Sequence, residues 1–341
     1  MLRMHNNNRM QGGSLRAKAL RCTAAVAMLL TIPFAAASAA DYPQNNVRFI
    51  IPFSAGGGAD TLLRLLAHAL SQEWSQNTIV ENRVGGNTVV GTVAAARSPA
   101  DGYTLLFAGD QSITINPGMM SLPYSVEKDL VPITLVAKNP MLLVVTPQTE
   151  AKTLKEFIAL AKAKPNEITF GSSGAGSLQR LTMELMAQSA KVKLLHVPYR
   201  GSNETVAAMV AGTINATFNG ISNFVKLLEA EKVRALALAT DERSPQLPNV
   251  PTIKEATDGE LTNVAIGSWF GLFTPAGTPA EIVEKVQRDV ATVLAKPEVQ
   301  KGIVERGFIP VGSTPAQFSE TIKSETAQWA KVIKDGNIKP E

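Results

Sequence analysis

Apolar and polar positions alternate along this chain in two rhythms. Short unbroken apolar runs, Phe49–Ile51 and Leu105–Ala108 among them, suit strands buried on both faces of a parallel sheet. Between them, Thr61–Trp74 sets Leu62, Leu65, Leu66, Ala69 and Leu70 on one helical face and Thr61, Arg64, His68 and Ser71 on the other. The same reading predicts strands at 78–82, 104–108, 131–137, 141–146, 167–170, 192–197, 213–218, 234–240 and 264–273. Asn139-Pro140 is expected to separate the third pair of neighbours. Helices are expected at 87–96, 154–163, 178–190, 203–211, 223–230 and 279–294, with two more near 297–306 and 315–333. Strands alternating with helices imply an α/β class with largely parallel sheets.

Within that alternation one pattern occurs twice. Strand 49–53 runs into Gly56-Gly57-Gly58 and then a helix that Asp60 or Thr61 can cap. About 120 residues later a strand runs into GSSGAGS, Gly171–Ser177, and again into a helix. A bare glycine turn ahead of a helix offers backbone N–H groups at a positive helix end, which favours an anion. Neither turn carries a G-x-G-x-x-G or a G-x-x-x-x-G-K-[ST] phosphate fingerprint. Each taken alone is equally a tight turn that binds nothing. Two such cradles in two putative domains describe a hinge-closing cleft.

The first forty residues stand apart. Arg3, Arg9, Arg16, Lys18 and Arg21 precede the apolar segment Cys22–Ile32, and Ala37–Ala40 supplies small residues for cleavage. That apolar segment is too short to span a bilayer. An export signal cleaved before Ala40 or Asp41 is expected, and with it a periplasmic product. Removing its five basic residues turns the formal charge of +4 into −1, so the basic balance is no footprint for nucleic acid. The only cysteine, Cys22, leaves with the leader, and the mature chain has no disulfide, thiol nucleophile or cysteine metal ligand.

Catalysis finds little support. A hydrolase elbow needs G-x-S-x-G, and Gly171-Ser172-Ser173-Gly174-Ala175 lacks its last glycine. Only His68 and His196 remain in the mature chain; the first lies on a polar helical face and the second ends a strand. No catalytic residue, metal ligand or cofactor is expected.

Seven short motifs in order resemble a known family. They are Tyr42-Pro43; Pro52-Phe53 with Gly56-Gly57 and Asp60; Pro99-x-Asp101-Gly102-Tyr103-Thr104-Leu105; Asn116-Pro117; Gly171-Ser172-x-Gly174-x-Gly176-Ser177; His196-Val197-Pro198-Tyr199-x-Gly201; and Pro275–Pro279. Their run is similar to that of the tripartite tricarboxylate transporter receptors, the Bug-type periplasmic solute-binding proteins. The resemblance implies two doubly wound α/β domains with a ligand cleft between them, as in type II-like periplasmic binding proteins. Residues 41–141 with 263–341 would form one domain and 142–262 the other. It implies a small organic carboxylate as ligand, delivered to the membrane components of a tripartite tricarboxylate-type transporter. A monomer without nucleic-acid partners is expected. A sensing subunit for a membrane signalling receptor would bind by the same chemistry and stays open.

The candidate ligand-binding residues follow from these loops. The first turn supplies Phe53, Ser54, Ala55, Gly56, Gly57, Gly58 and Asp60, and the loop after strand 104–108 supplies Gln111 and Ser112. The second turn supplies Ser172, Ser173, Gly174, Gly176 and Ser177, and Arg180, Tyr199 and Asn219 complete the set. Arg180 and Asn219 depart from the His and the acidic residue more common in the family there. If Ser177 caps its helix, Arg180 occupies the first turn, where a cation is opposed by the dipole. It then either pairs with Glu184 at i+4 or reaches into the cleft toward a distal acidic group of the ligand.

Overall fold

The computed structural model describes residues 1–2, 42–174, 176–262, 264, 267–335 and 338. The export signal expected in residues 1–40 lies outside the described residues apart from Met1 and Leu2. From Tyr42 onward the chain packs as one unit.

Apolar runs build the sheet. Strand β1 (Val47–Ile51) pairs in parallel with β2 (Thr78–Asn82) and β3 (Thr104–Gly109), and β3 pairs antiparallel with β9 (Gly267–Pro275). Both faces of these strands are covered. Phe49, Ile51, Leu105 and Phe107 pack with helices α1 (Gly58–Trp74), α10 (Ala280–Leu294) and α11 (Pro297–Glu305). Ile50, Leu106 and Ala108 point the other way, toward Ala95 of α2 (Val89–Ala96) and Phe318 of α12 (Pro315–Asp335). The period of two in a strand is what divides one apolar run between two cores.

The second half repeats the plan around β5 (Thr169–Ser172), β6 (Leu195–Pro198), β7 (Ala216–Gly220) and β8 (Arg234–Leu238). Helices α5 (Leu154–Ala163) and α6 (Leu178–Ala190) cover one face, and α7 (Ser202–Val210) with α8 (Val225–Glu229) the other. The parallel pairs β5–β6 and β5–β7 lie beside antiparallel ones, so the sheet is mixed where a largely parallel one was expected.

The reason is β4. Residues Leu130–Val145 form one strand of 16 residues, not two strands broken at Asn139-Pro140. Its first part, through Pro140, pairs antiparallel with β9. Its last five residues pair antiparallel with β7 and β8. Pro140 is tolerated because Asn139-Pro140 falls where β4 passes from one set of partners to the other. Two irregularities in the β4–β9 register, between Pro132 and Thr134 and between Leu135 and Ala137, bend it on the way.

Helix α12 is the second link between the halves. Its Phe318 packs edge-on against Trp269 of β9, ring centroids 5.0 Å apart, while Trp329 and Ile333 join the core of the β5–β7 half. The polar loop expected at 109–117 is a π-helical turn, Gln111–Ile115, followed by α3 (Asn116–Met119), because Ile113 and Ile115 need burial. Deleting the fully buried Phe318 ring leaves a cavity beside Trp269 and Phe273. Phe318→Ala should lower unfolding stability by about 3–5 kcal/mol, read from the urea midpoint.

Candidate functional site

The first glycine turn is held by its own helix. Helix α1 begins at Gly58 with Gly57 as N-cap, and no side chain caps it. Asp60 was expected as a cap; it reaches backward instead, and its Oδ2 accepts the Gly56 N–H at 2.9 Å and Arg64 Nε at 2.9 Å. Its Oδ1 accepts Asn82 Nδ2 at 2.9 Å, and the same amide holds the Phe53 carbonyl at 3.0 Å. Gly56 has φ +77°, a conformation that favours glycine. Gly57, at φ −76°, does not need that freedom. Gly58 needs closeness: a Cβ there would lie 2.5 Å from Ser222 Oγ.

The second turn is held the same way by other means. Ser177 caps α6, accepting the Arg180 N–H at 3.3 Å, as the sequence predicts. Ser172 Oγ sits 3.0 Å from the Gly174 carbonyl and 2.7 Å from His196 Nε2. The Ser173 N–H is donated to Gln179 Oε1 at 2.6 Å, and Gln179 Nε2 donates to Ser202 Oγ at 2.9 Å. That chain ties α6 to the start of α7.

A third turn completes the wall. Gly85–Thr88 leads into α2, with Asn87 at φ 54° and Thr88 at φ 76°. Left-handed backbone at a β-branched residue costs of order 1–3 kcal/mol and persists only when neighbours enforce it. Here they do. Asn87 Nδ2 donates to Asn116 Oδ1 at 2.9 Å, Asn116 Nδ2 donates to the Asn87 carbonyl at 2.8 Å, and Gln111 Nε2 donates to Asn87 Oδ1. Ser112 Oγ donates to Thr88 Oγ1 at 2.9 Å. Gly176 faces this clamp, and a Cβ on it would lie 2.7 Å from Asn87 Nδ2.

Together these turns surround a cavity of about 590 Å³. Four helix starts border it: Gly58-Ala59 of α1, Thr88 before α2, Leu178-Gln179 of α6 and Gly201–Asn203 at α7. All four follow strand C-terminal ends, where open α/β sheets hold ligands. Of the candidate residues, Phe53, Ser54, Gly57, Gly58, Gln111, Ser173, Gly174, Gly176, Tyr199 and Asn219 line this cavity. Gly56, Asp60, Ser112, Ser172 and Ser177 lie behind the lining and fix it, and Ala55 sits in the first turn without reaching it. Arg180 is not at the cavity wall either; its Nε lies 3.9 Å from Glu184 Oε1, the i+4 partner.

Sequence reading overlooked Asn87, Thr88, Asp110, Asn139, Gln179, Asn203, Ser222 and Ser268, all of which line the cavity. Gly85-Gly86-Asn87-Thr88 carried a readable signal, a glycine pair before a helix. Asn139 and Ser268 carried none, because they meet only through the pairing of β4 with β9. Among the described lining residues the only carboxylate is Asp110 and the only cationic side chain is Arg200, which is exposed. The positive potential at this wall comes from helix ends and amides.

Comparison with known proteins assigns the lineage. Residues 62–338 match the model of the tripartite tricarboxylate transporter family receptor. The chain belongs to that family. It is 33% identical over 304 residues to protein BugT of Bordetella pertussis, covering 89% of this chain and 92% of that one. A solved periplasmic transporter shares 34% identity with a TM-score of 0.83, covering 87% of this chain and 99% of the other. The adipate-bound R. palustris Rpa4515 shares 32% with a TM-score of 0.82, over 88% of this chain and all of that one. The family and its solved members are solute-binding proteins of two-domain type, not enzymes.

The Asp60 anchor has a pH signature. Burial raises its carboxyl, but Arg64, the Gly56 N–H and Asn82 outweigh this and hold it below the usual 3.8. Its contribution is therefore complete above that unfolded value and is lost as pH falls through the lower folded one. Asp60→Ala should cost about 1–3 kcal/mol near neutral pH by leaving these donors unmatched. The deficit relative to wild type should shrink below pH 3.8, read from urea midpoints across pH.

Proposed function

We propose that this chain is an exported receptor that captures a small organic carboxylate between two domains and delivers it to a tripartite tricarboxylate-type membrane transporter. The observation that carries this reading is the convergence of four helix N-termini on one cavity, where the only cation among the described lining residues is exposed. Each helix end favours an anion by roughly 0.3–1 kcal/mol, and each hydrogen bond to a charged group adds about 1.5–3 kcal/mol. Solved relatives bound to adipate and to malate support the same ligand class.

The domains in this reading are 41–141 with 263–341, and 142–262, and closure about β4 and β9 brings the glycine turns together. The first turn and α7 come from different domains, and a Cβ on Gly57 would lie 3.5 Å from Asn203 Oδ1 across that gap. Gly57→Val adds branches into this space. Calorimetry with a carboxylate panel should show at least a tenfold loss of affinity, with the circular dichroism spectrum unchanged. Small-angle scattering should show wild type contracting with ligand and the variant failing to. Unchanged affinity would mean that the glycines shape a turn and nothing more.

The periplasmic relatives and the leader-like first forty residues support export. N-terminal sequencing of the protein from a periplasmic extract should begin at Ala40 or Asp41. Recovery of the uncut chain in membranes would count against it.

A further inference from the structure

One wall of the cavity is chemically unlike the rest. It lies where β4 passes between the two halves and is built from Asp110, Asn139, Asn219 and Ser268. Asn139 and Ser268 are register partners on β4 and β9, and Ser268 lies next to the Asp110 carboxyl. Asn139 packs its amide against Gly220, the residue after Asn219, so closely that a Cβ at Gly220 would run into it. The four side chains therefore form one continuous band.

The band is under-satisfied. Asp110 Oδ1 accepts the Gln111 N–H at 2.6 Å, but its buried Oδ2 has no hydrogen-bond partner. Asn139 Oδ1 and Asn219 Nδ2 are buried and unpartnered as well. Asp110 is 5% exposed, and a buried carboxylate oxygen without a donor is costly. Three orphaned polar atoms on residues that line one cavity describe a place where something else completes the bonding.

We infer that this wall reads the far end of the ligand, and that Asp110 selects a carboxylate whose distal group is a hydrogen-bond donor, an amine or a hydroxyl, over one carrying a second ionised carboxylate. The inference rests on the carboxylate-receptor reading and narrows its ligand class. An ionised Asp110 repels a second carboxylate, and among the described lining residues no cation other than the exposed Arg200 offsets that repulsion. A donor on the ligand satisfies Oδ2 instead.

The charge of Asp110 is set by its surroundings. Burial pushes its carboxyl up to about 6, with Ser268 and the amides of Gln111 and Trp269 pulling the other way. From α12, Glu325 accepts the Trp269 indole N–H at 2.6 Å; burial pushes it up to about 8, with the charge of Asp110 adding to the rise. Lys138 on β4 lowers Glu325 in turn, and α2 brings no titratable group. Asp110 is thus ionised at pH 7.5 and largely neutral at pH 5.0.

Calorimetry on the mature chain decides the matter with two length series. One is succinate, 4-aminobutanoate and butanoate; the other is adipate, 6-aminohexanoate and hexanoate. At pH 7.5 the amino acid of at least one series should bind ten times more tightly than both its dicarboxylate and its plain acid. Asp110→Asn should abolish that preference and admit the dicarboxylate. Because the variant can fail to fold, the wild type is also titrated at pH 5.0, where the advantage of the amino acid over the plain acid should collapse. A dicarboxylate that equals or beats the amino acid in both series at pH 7.5 would overturn the inference alone. So would a preference that survives both Asp110→Asn and pH 5.0. No binding by any of the six at millimolar concentration would overturn the carboxylate-receptor reading itself, and the inference with it.

Discussion

The pairing of β4 with β9 is the constraint on which the rest depends. Strand Leu130–Val145 spends its first part against β9 and its last residues between β7 and β8. One strand therefore belongs to both halves, and its partners change at Asn139-Pro140. Proline removes a ladder donor there, at the point where the partners change. Helix α12 adds a second tie, with Phe318 in one half's core and Trp329 in the other's. The cavity sits beside this passage and inherits its wall from it.

Positive potential at the cavity comes from backbone rather than from lysine or arginine. Helix ends carry their partial charges at fixed positions and pay no side-chain entropy on binding. The cost appears elsewhere, in glycines that must stay bare and in an Asn87-Thr88 pair held in left-handed backbone. The side chains behind the lining meet that cost. Asp60, Asn82 and Arg64 lock the first turn, Gln179 and Ser202 the second, and Asn116, Gln111 and Ser112 the third. Each satisfies a polar group of the turn it holds.

Much of the site was legible from local pattern, and what was missed shares one property. The two glycine turns, the cap at Ser177 and helix 178–190 are all written in contiguous residues, since strand period, glycine and capping chemistry act over a few positions. Asp60 was legible as important but not in its role, because a first-turn carboxylate can cap forward or reach back to Gly56, and Asn82 and Arg64 decide which. Arg180 lay open between cleft and Glu184; it is absent from the cavity lining, with its Nε 3.9 Å from Glu184 Oε1.

The chain's own order of residues determined the α/β class, the repeated strand–turn–helix plan and the family, because these rest on periodicity and short motifs. Only tertiary structure decided that β4 is one strand, that the sheet is mixed, and that four helix ends meet at one cavity where two were expected. It alone placed Asp110, Asn139, Asn219 and Ser268 on a common wall. The physical reason is that pairing between β4 and β9 joins residues more than a hundred positions apart, and side-chain satisfaction across such pairs leaves no trace in local sequence.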